Sequence, residues 1–431
     1  MDIDRDKLKS IRKRRDRISK SRDIEIKWRE LEENKNLTHR EKLERLIQSK
    51  LEKTENRIKY KNNFIELPSK ILTFEHIFPS DYVYGGVPLK YGLEIRGKEL
   101  YYLSQSSEFK NIDLSSSLFL DLETTGLSMG TGNIPFLIGL GFYLEDKFCI
   151  VQYFLPQPSE EEELIITLNK FLNEMNFKSI ITYNGTGFDV PLLETRFILN
   201  RKPFSLNSFP HLDFLIPARV LWREKYRSCK LSHLSRELLG VLREDDIPSH
   251  LIPHTYFNYL RTGDFSLIEK VLYHNEQDLL CLLGLTIIGG FFFKEKKLNQ
   301  INGFDLFGAG KLLERLEILE ECVEFYNEAL KSKVPSSLAL KIKKKLSHFY
   351  KKNRKWEKAI ALWEELAFYG EIYPLRELAI YYEHKEKNFL KAKEIVVEAL
   401  NNRNLSECHR RDFQKRLIRL ERKLGKIFSL K

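Results

Sequence analysis

The segment F-L-D-L-E-T-T-G, from Phe119 to Gly126, carries the strongest structural and chemical signal in this chain. On a strand, residues i and i+2 face the same side, so Asp121 and Glu123 project together while Leu120 and Leu122 point into a core. Two carboxylates this close repel each other unless a cation lies between them. Oxygen ligands without cysteine or histidine suit Mg²⁺ or Mn²⁺. The strand therefore predicts part of a divalent-cation site, and the plainer alternative is an acidic stripe facing solvent.

A second segment, T-Y-N-G-T-G-F-D-V-P-L-L, runs from Thr182 to Leu193. An apolar strand ends in a glycine-containing loop, and Asp189 stands just before a helix that Pro191 helps to start. Asp189 alone is most simply a helix N-cap, a role that aspartate fills well. Beside the first segment, it is also a candidate for a third carboxylate ligand.

The third segment is Y-H-N-E-Q-D-L-L, from Tyr273 to Leu280, on a predicted helix. His274 and Asp278 are four residues apart and so lie on one helix face, roughly 40° apart about the axis. Tyr273 and Asp278 point away from each other by roughly 140°. A histidine beside a metal-bound carboxylate can accept a proton from an attacking water. The alternative is an ordinary half-buried or surface histidine.

Strands and helices alternate around these three segments. The strand S-S-L-F-L-D-L-E is followed by two strands, which the polar E-D-K turn joins into a hairpin, and then by a helix. A fourth strand, a helix that Pro191 helps to open and a fifth strand come next. Helices then continue to about residue 290. Three antiparallel strands followed by αβαβ is the order of a ribonuclease-H-like mixed sheet. We therefore predict an α/β domain. After the first strand, its strands are Ile134 to Tyr143, Phe148 to Leu155, Ser179 to Tyr183, and His211 to Leu215, and its first helix begins at Ser159.

The three segments, in this order, resemble the DEDD superfamily of 3′-to-5′ exonucleases. More narrowly, the chain resembles the YprB-type ribonuclease-H-like proteins, which pair such a domain with tetratricopeptide-like repeats. The resemblance covers about residues 65 to 290 in detail and the C-terminal region in outline. It implies that four carboxylates are the metal ligands and catalytic acids of the site: Asp121, Glu123, Asp189 and Asp278.

One feature departs from that pattern. The usual subgroups place tyrosine four residues, or histidine five residues, before the last aspartate, whereas here His274 stands at four and Tyr273 at five. The resemblance leaves open which of the two assists the attacking water, and helix geometry favours His274 as the catalytic base. His211 and Asp213, in H-L-D-F, are not expected to be ligands.

The regions on either side of this domain differ from it in composition and sequence pattern. Residues 1–63 predict a charged arm, helical or disordered, whose R-K-R-R-D-R stretch is more simply a solvated face than a phosphate contact. Residues 64–295 form the predicted ribonuclease-H-like domain with an N-terminal lead-in. Residues 305–425 predict an all-α repeat domain, in which Cys322, Ala359 and Ala392 recur at intervals of 37 and 33 residues. Tetratricopeptide-like repeats and generic helical hairpins are equally good interpretations.

Composition favours some classes of protein and argues against others. The net charge of +11 and pI near 9.1 suit a nucleic-acid partner, although solubility alone would also explain them. Five scattered cysteines argue against a thiolate zinc site and a disulfide framework. No run of eighteen apolar residues and no apolar N-terminal stretch is present, so we expect no transmembrane helix and a cytoplasmic protein.

The resemblance implies a 3′–5′ exonuclease that hydrolyses single-stranded DNA or RNA, and the hypothesised mechanism uses two Mg²⁺ or Mn²⁺ ions about 3.5–4 Å apart. In this hypothesis Asp121 bridges both ions, and a protein partner binds the helical repeats. Two alternatives stay open. One is a catalytically inactive ribonuclease-H-like scaffold that binds nucleic acid or protein, because fold alone does not determine function. The other is a peptide-binding repeat protein with a vestigial front domain.

Overall fold

The strands of this protein assemble into a six-stranded mixed sheet with the order β1-β6-β5-β4-β7-β8. A computed structural model describes residues 71–126, 132–243, 246–294, 301–403 and 405–428. The predicted charged arm, 1–63, lies outside the described residues. The strands are β1 Leu72–Phe78, β2 Val83–Tyr84, β3 Val87–Pro88, β4 Ser117–Thr124, β5 Pro135–Leu144, β6 Lys147–Phe154, β7 Ser179–Thr182 and β8 His211–Asp213.

The sheet is antiparallel on one side of β4 and parallel on the other. β1 pairs with β6, β6 with β5 and β5 with β4, all antiparallel, whereas β4–β7 and β7–β8 are parallel. The two short strands β2 and β3 form a separate hairpin. The predicted three antiparallel strands followed by αβαβ are confirmed, and β1 from the lead-in adds a sixth strand that the sequence pattern did not indicate.

The helices of the α/β part pack on both faces of this sheet. They are α1 Gly97–Ser104, α2 Glu161–Glu174, α3 Asp189–Leu199, α4 Leu215–Trp222, α5 Leu231–Leu238, α6 Ile252–Thr262 and α7 Ser266–Lys294. Two large apolar clusters, separated by the sheet, hold these layers together. β4 contributes to both, since Phe119 belongs to one cluster and Leu118 and Leu120 belong to the other.

The longest helix of the α/β part, α7, crosses β4 and β5. Among the described residues it is the one helix with the length and apolar composition of a membrane span, and 78% of that stretch is buried inside the protein. Burial on nearly every side explains the composition, since a helix enclosed by other elements is apolar all round. The polar residues of α7 are concentrated between Tyr273 and Asp278, where the helix passes the end of β4.

A C-terminal all-α region follows, as the repeating helices predicted. Its helices are α8 Gly303–Arg315, α9 Leu319–Lys331, α10 Ser336–Lys352, α11 Trp356–Phe368, α12 Ile372–His384, α13 Phe389–Asn401 and α14 Glu407–Phe428. Neighbouring helices pack as pairs, and Cys322, Ala359 and Ala392 are all buried at these contacts. The tetratricopeptide assignment itself stays a prediction.

The helical region and the α/β part share one apolar core within residues 63–431. Helix α8 lies against α4, and a Cβ on Gly308 would come within 2.4 Å of the carbonyl oxygen of Leu221. An ion pair between Lys225 and Asp305 reinforces the same contact. The two regions therefore touch through backbone, which leaves little room for movement at this point.

Candidate active site

The two carboxylates of the first motif lie near the C-terminal end of β4. Asp121 and Glu123 are half-buried, while Leu120 and Leu122 between and beside them are buried in the core. Pairing with β5 becomes irregular between Glu123 and Thr124, which ends the regular strand beside these side chains. The two carboxylates therefore share one face of a central strand, as the alternation predicts.

A buried amide holds Asp121 in place. Nδ2 of Asn275, from α7, donates to Oδ2 of Asp121 at 2.7 Å and to its backbone carbonyl at 3.2 Å. Nε2 of Gln152, on β6, donates to Oδ1 of Asn275 at 2.8 Å. The amide fits only because Gly139, the β5 residue opposite Asp121, has no side chain, since a Cβ there would lie 2.1 Å from Oδ1 of Asn275. Three strands and one helix thus fix a single carboxylate.

Asp189 is the first residue of α3 and is buried. The residue before it, Phe188, occupies the N-cap position without a side-chain cap, so Asp189 does not have the cap role. Asp213, at the end of β8, anchors the preceding loop by accepting hydrogen bonds from the amides of Asn184 at 2.7 Å and Thr186 at 3.2 Å. Asn184 has a φ of +70°, which asparagine tolerates better than most residues. Asp213 therefore holds this loop in place through the two backbone amides.

His274 is buried between carboxylates. Its Nε2 lies 3.6 Å from Oδ2 of Asp278 and 3.9 Å from Oε1 of Glu123. Its Nδ1 is 2.7 Å from Oδ1 of Asp246, a residue of the loop after α5. Asp246 fixes the ring so that Nε2 points at the two other acids. The helical spacing of four residues thus brings His274 and Asp278 together, as predicted.

The guanidinium of Arg243 pairs with Asp278. Arg243 Nη1 donates to Oδ1 of Asp278, and its Nη2 donates to the backbone carbonyl of Gln277 at 3.2 Å. The same guanidinium is 3.4 Å from Asp246. The side chain of Arg243 is only 6% exposed, so its charge acts with little screening by water.

The pKa values of the site carboxyls show that acidic groups are concentrated here. Burial raises the pKa of Asp121 well above its usual range, and the charges of Asp278 and Asp189 raise it further. Burial and then the charge of Asp121 raise the pKa of Glu123 in the same way. Burial and the charge of Asp213 raise the pKa of Asp189 to about 7. Four acids from three distant segments therefore act on one another.

The pKa of His274 results from opposing effects. Burial lowers it, but the hydrogen bond to Asp246 and the charges of Asp278 and Asp246 outweigh burial, so the pKa is raised. Tyr273, its neighbour on α7, is half-buried, and burial raises its pKa. Within the described residues, Tyr273 makes no hydrogen bond to any of the four carboxylates. Of the two candidate bases, His274 is the one that lies among the acids.

The donor set fits a hard divalent cation. Four carboxylates without cysteine supply oxygen ligands, and their mutual repulsion is relieved by positive charge. In residues 71–126, 132–243, 246–294, 301–403 and 405–428, no three histidine, cysteine, aspartate or glutamate side chains stand close enough to hold a metal ion as they are. Asp278 is engaged by Arg243 and Asp121 by Asn275, so binding requires these side chains to reorient.

Sequence reasoning missed several residues that shape the site. Asn275 lies inside the Y-H-N-E-Q-D motif, and its position one turn before Asp278 was the available signal. Gly139 and Gln152 belong to strand segments whose pattern gives no hint of a neighbour on α7. Arg243 and Asp246 come from a loop, and no local pattern predicts what a loop contacts.

Comparison with known proteins gives a family and a close curated relative. Residues 118–287 match the RNase_H superfamily. The chain is 32% identical over 334 residues to the uncharacterized protein YprB of Bacillus subtilis, and the alignment covers 74% of this chain and 78% of that protein. A structure of the family B DNA polymerase from the archaeon Pyrobaculum calidifontis is similar with a TM-score of 0.33 and 16% identity. That alignment covers 49% of this chain and 28% of the polymerase chain.

Proposed function

This chain belongs to the YprB family of RNase H superfamily proteins, and from that membership, which indicates a nuclease-type function, we propose that it is a metal-dependent 3′–5′ exonuclease of single-stranded DNA or RNA. The observation that carries the proposal is that Asp189 and Asp278, from distant segments, lie near enough to Asp121 and Glu123 on β4 for their charges to raise the pKa of both carboxyls. A protein that only needed a stable fold would gain nothing from bringing together four mutually repelling acids, one of them buried and three half-buried.

In the proposed mechanism the four carboxylates hold the cations. When bound, two Mg²⁺ or Mn²⁺ ions would supply positive charge that favours ionisation of the attacking water and departure of the 3′ oxygen. The protein's own contribution is geometric. Asp121, fixed by Asn275, would hold the cations together with Asp189 and Asp278, because it belongs to the central strand and the charges of both these residues act on it.

His274 has the arrangement of a general base. Its Nδ1 is held by Asp246, and its Nε2, which is 3.4 Å from the hydroxyl of Ser249, faces Glu123 and Asp278 and would take the proton of a water bound there. An imidazole fixed by a carboxylate keeps one tautomer and one orientation, as general-base catalysis requires. Replacing His274 should therefore slow hydrolysis without abolishing nucleic-acid binding.

The test uses oligonucleotides labelled at the 5′ end. With Mg²⁺ or Mn²⁺, we expect a ladder of products that shorten from the 3′ end, no cleavage of circular single strands, and full inhibition by EDTA. Asp121→Ala should abolish hydrolysis with folding intact. Asp146→Asn, in the exposed β5–β6 turn, is the matched control and should remain active. Metal-dependent turnover by Asp121→Ala would remove the assignment.

One observation favours a second candidate. Arg243 already neutralises Asp278, as expected in a scaffold that binds nucleic acid or protein without hydrolysis. In that case the oligonucleotide binds but stays intact with either metal, and Asp121→Ala binds as tightly as the unaltered chain.

The C-terminal helices are part of the proposal. The recurrence of helix pairs with buried Cys322, Ala359 and Ala392 supports tetratricopeptide-like repeats that bind a protein partner. Truncation at residue 301 would expose the α4 surface that α8 covers, so intact chains with surface substitutions are the better material for a pull-down.

A further inference from the structure

A pocket of about 680 Å³ opens beside the acid cluster. His274 and Asp278 are among the residues that line it. Its wall also contains four cationic side chains from the end of α4 and the segment that follows: Arg219, Arg223, Arg227 and Lys230. We call these four residues the basic row. A concentration of positive charge thus stands next to a concentration of negative charge without neutralising it.

The four side chains of the basic row form no contact that stabilises the fold within the described residues. All four side chains are exposed, and none makes an ion pair or side-chain hydrogen bond with the residues that the structure describes. Arg219 lies on α4, Arg223 follows the last residue of that helix, and Arg227 and Lys230 lie in the irregular segment beyond it. By contrast, the neighbouring Glu224 and Lys225 are both paired, with Lys341 and Asp305. Within the part of the chain that the structure describes, the basic row therefore has no ionic partner.

Positive charge of this kind suits a chain of phosphates. Each arginine offers a planar fork of donors that matches two phosphate oxygens. The remaining wall includes Tyr183, Leu215 and Leu231, which present apolar surface for a base. The Tyr183 hydroxyl donates to the carbonyl of Cys229, which fixes the position of the ring. Alternating contacts to phosphate and base are typical of single-strand binding.

We propose that the basic row binds the backbone phosphates of a single-stranded nucleic acid whose end enters the acid cluster. This inference rests on the proposed function and adds the path of the substrate. We expect a single strand rather than a duplex, because Asp189 is buried and Asp121, Glu123 and Asp278 are half-buried, so that a strand separated from its complement reaches them more easily. An acidic peptide would also neutralise the arginines, but it would not use the reactive end of the pocket.

The experiment measures binding in the absence of turnover. Fluorescence anisotropy of labelled oligo-dT and oligo-rU is recorded with the full chain in EDTA, over a range of salt concentrations. The triple variant Arg219→Ala/Arg223→Ala/Arg227→Ala is compared with Arg411→Ala/Lys415→Ala/Arg422→Ala. The control residues are also exposed cations, on α14, and the change in net charge is identical.

The expected effect follows from counterion release. For single strands the slope of log K against log salt is about −0.7 per phosphate contact, so loss of three contacts should flatten it by about 2. At about 0.1 M salt the same relation gives a loss of affinity on the order of a hundredfold. The control variant should change neither quantity to this extent, and a blunt duplex should bind more weakly than the single strand.

The outcomes separate this inference from the proposed function. Equal losses in the two triple variants, or unchanged affinity in the first, would overturn the basic row as a binding site, even if the protein hydrolyses oligonucleotides. Tight binding of a polyglutamate peptide that competes with oligo-dT and depends on the same arginines, with no preference for nucleic acid, would also overturn it. Binding that depends on the row without any hydrolysis in Mg²⁺ or Mn²⁺ would support the inference and contradict the exonuclease.

Discussion

Replacing Gly139 by alanine tests whether the buried amide controls the site. A Cβ at this position would lie 2.1 Å from Oδ1 and 2.7 Å from Nδ2 of Asn275, so the amide must move. The movement would break the hydrogen bond from Asn275 to Asp121 and the one that Gln152 donates to Asn275. One methyl group thus releases the carboxylate that the mechanism depends on most.

The size of the effect can be worked from these contacts. Overpacking of a dense interior costs about 1–3 kcal/mol. Leaving the buried amide of Asn275 without its hydrogen-bond partners adds about 1–3 kcal/mol. Because the two losses share one displaced side chain, they do not add fully, and we expect the free energy of unfolding to fall by about 2–4 kcal/mol. A carboxylate misplaced by about 1 Å should lower kcat on the order of a hundredfold.

Gly141→Ala is the matched control, because it lies two residues along the same strand face and also overpacks. Its Cβ would meet Phe148 at 2.7 Å and does not reach Asn275. Urea unfolding and the rate of oligonucleotide hydrolysis are measured for both variants and for Asn275→Ala. We expect both glycine variants to lose stability and only Gly139→Ala to lose activity. If Gly139→Ala lowers the rate further in an Asn275→Ala background, the reasoning is refuted.

Three further substitutions test other parts of the structure. Burial would raise the pKa of the Glu383 carboxyl, but hydrogen bonds from Arg419 and neighbouring cations lower it to about 2. Glu383→Gln should therefore lower the free energy of unfolding by about 1–3 kcal/mol after allowance for solvent screening. That deficit should be full above pH 4.5, the ordinary pKa of the group, and vanish toward pH 2, as urea titrations at several pH values can check. Asp213→Asn should weaken the loop before α3, cost about 1–3 kcal/mol and lower kcat, with loop proteolysis as the readout. Gly308→Ala should lower Tm, because its Cβ would meet the carbonyl of Leu221, and the overpacking costs about 1–3 kcal/mol; an unchanged Tm would mean that the contact is absent in solution.

The fold was predictable where local periodicity reports on burial. β4, β5, β6 and β7 carry apolar residues in short runs bounded by turns, and all four were predicted within two residues of their ends. β1 was not, because the pairing of Leu72–Phe78 with β6 depends on a partner far along the chain. The local sequence of such an edge strand indicates its structure only through the alternation of apolar and polar residues.

The site was predictable only in part. Residue spacing brought Asp121 beside Glu123 and His274 beside Asp278, since both pairs follow from strand and helix geometry. The interactions among distant residues were beyond the sequence pattern. Arg243 reaches Asp278 and Asp246 reaches His274 from a loop between two helices, and loop contacts follow from tertiary packing rather than from local sequence.

Direct titration with Mn²⁺ tests the central claim. Calorimetry on the full chain should show saturable binding that is lost in Asp121→Asn and in Asp278→Asn, while Asp146→Asn binds as the unaltered chain does. This result is expected because the first two residues lie among the clustered acids and the third is exposed in a turn. Equal Mn²⁺ binding by all four proteins, or none by any, would contradict the account.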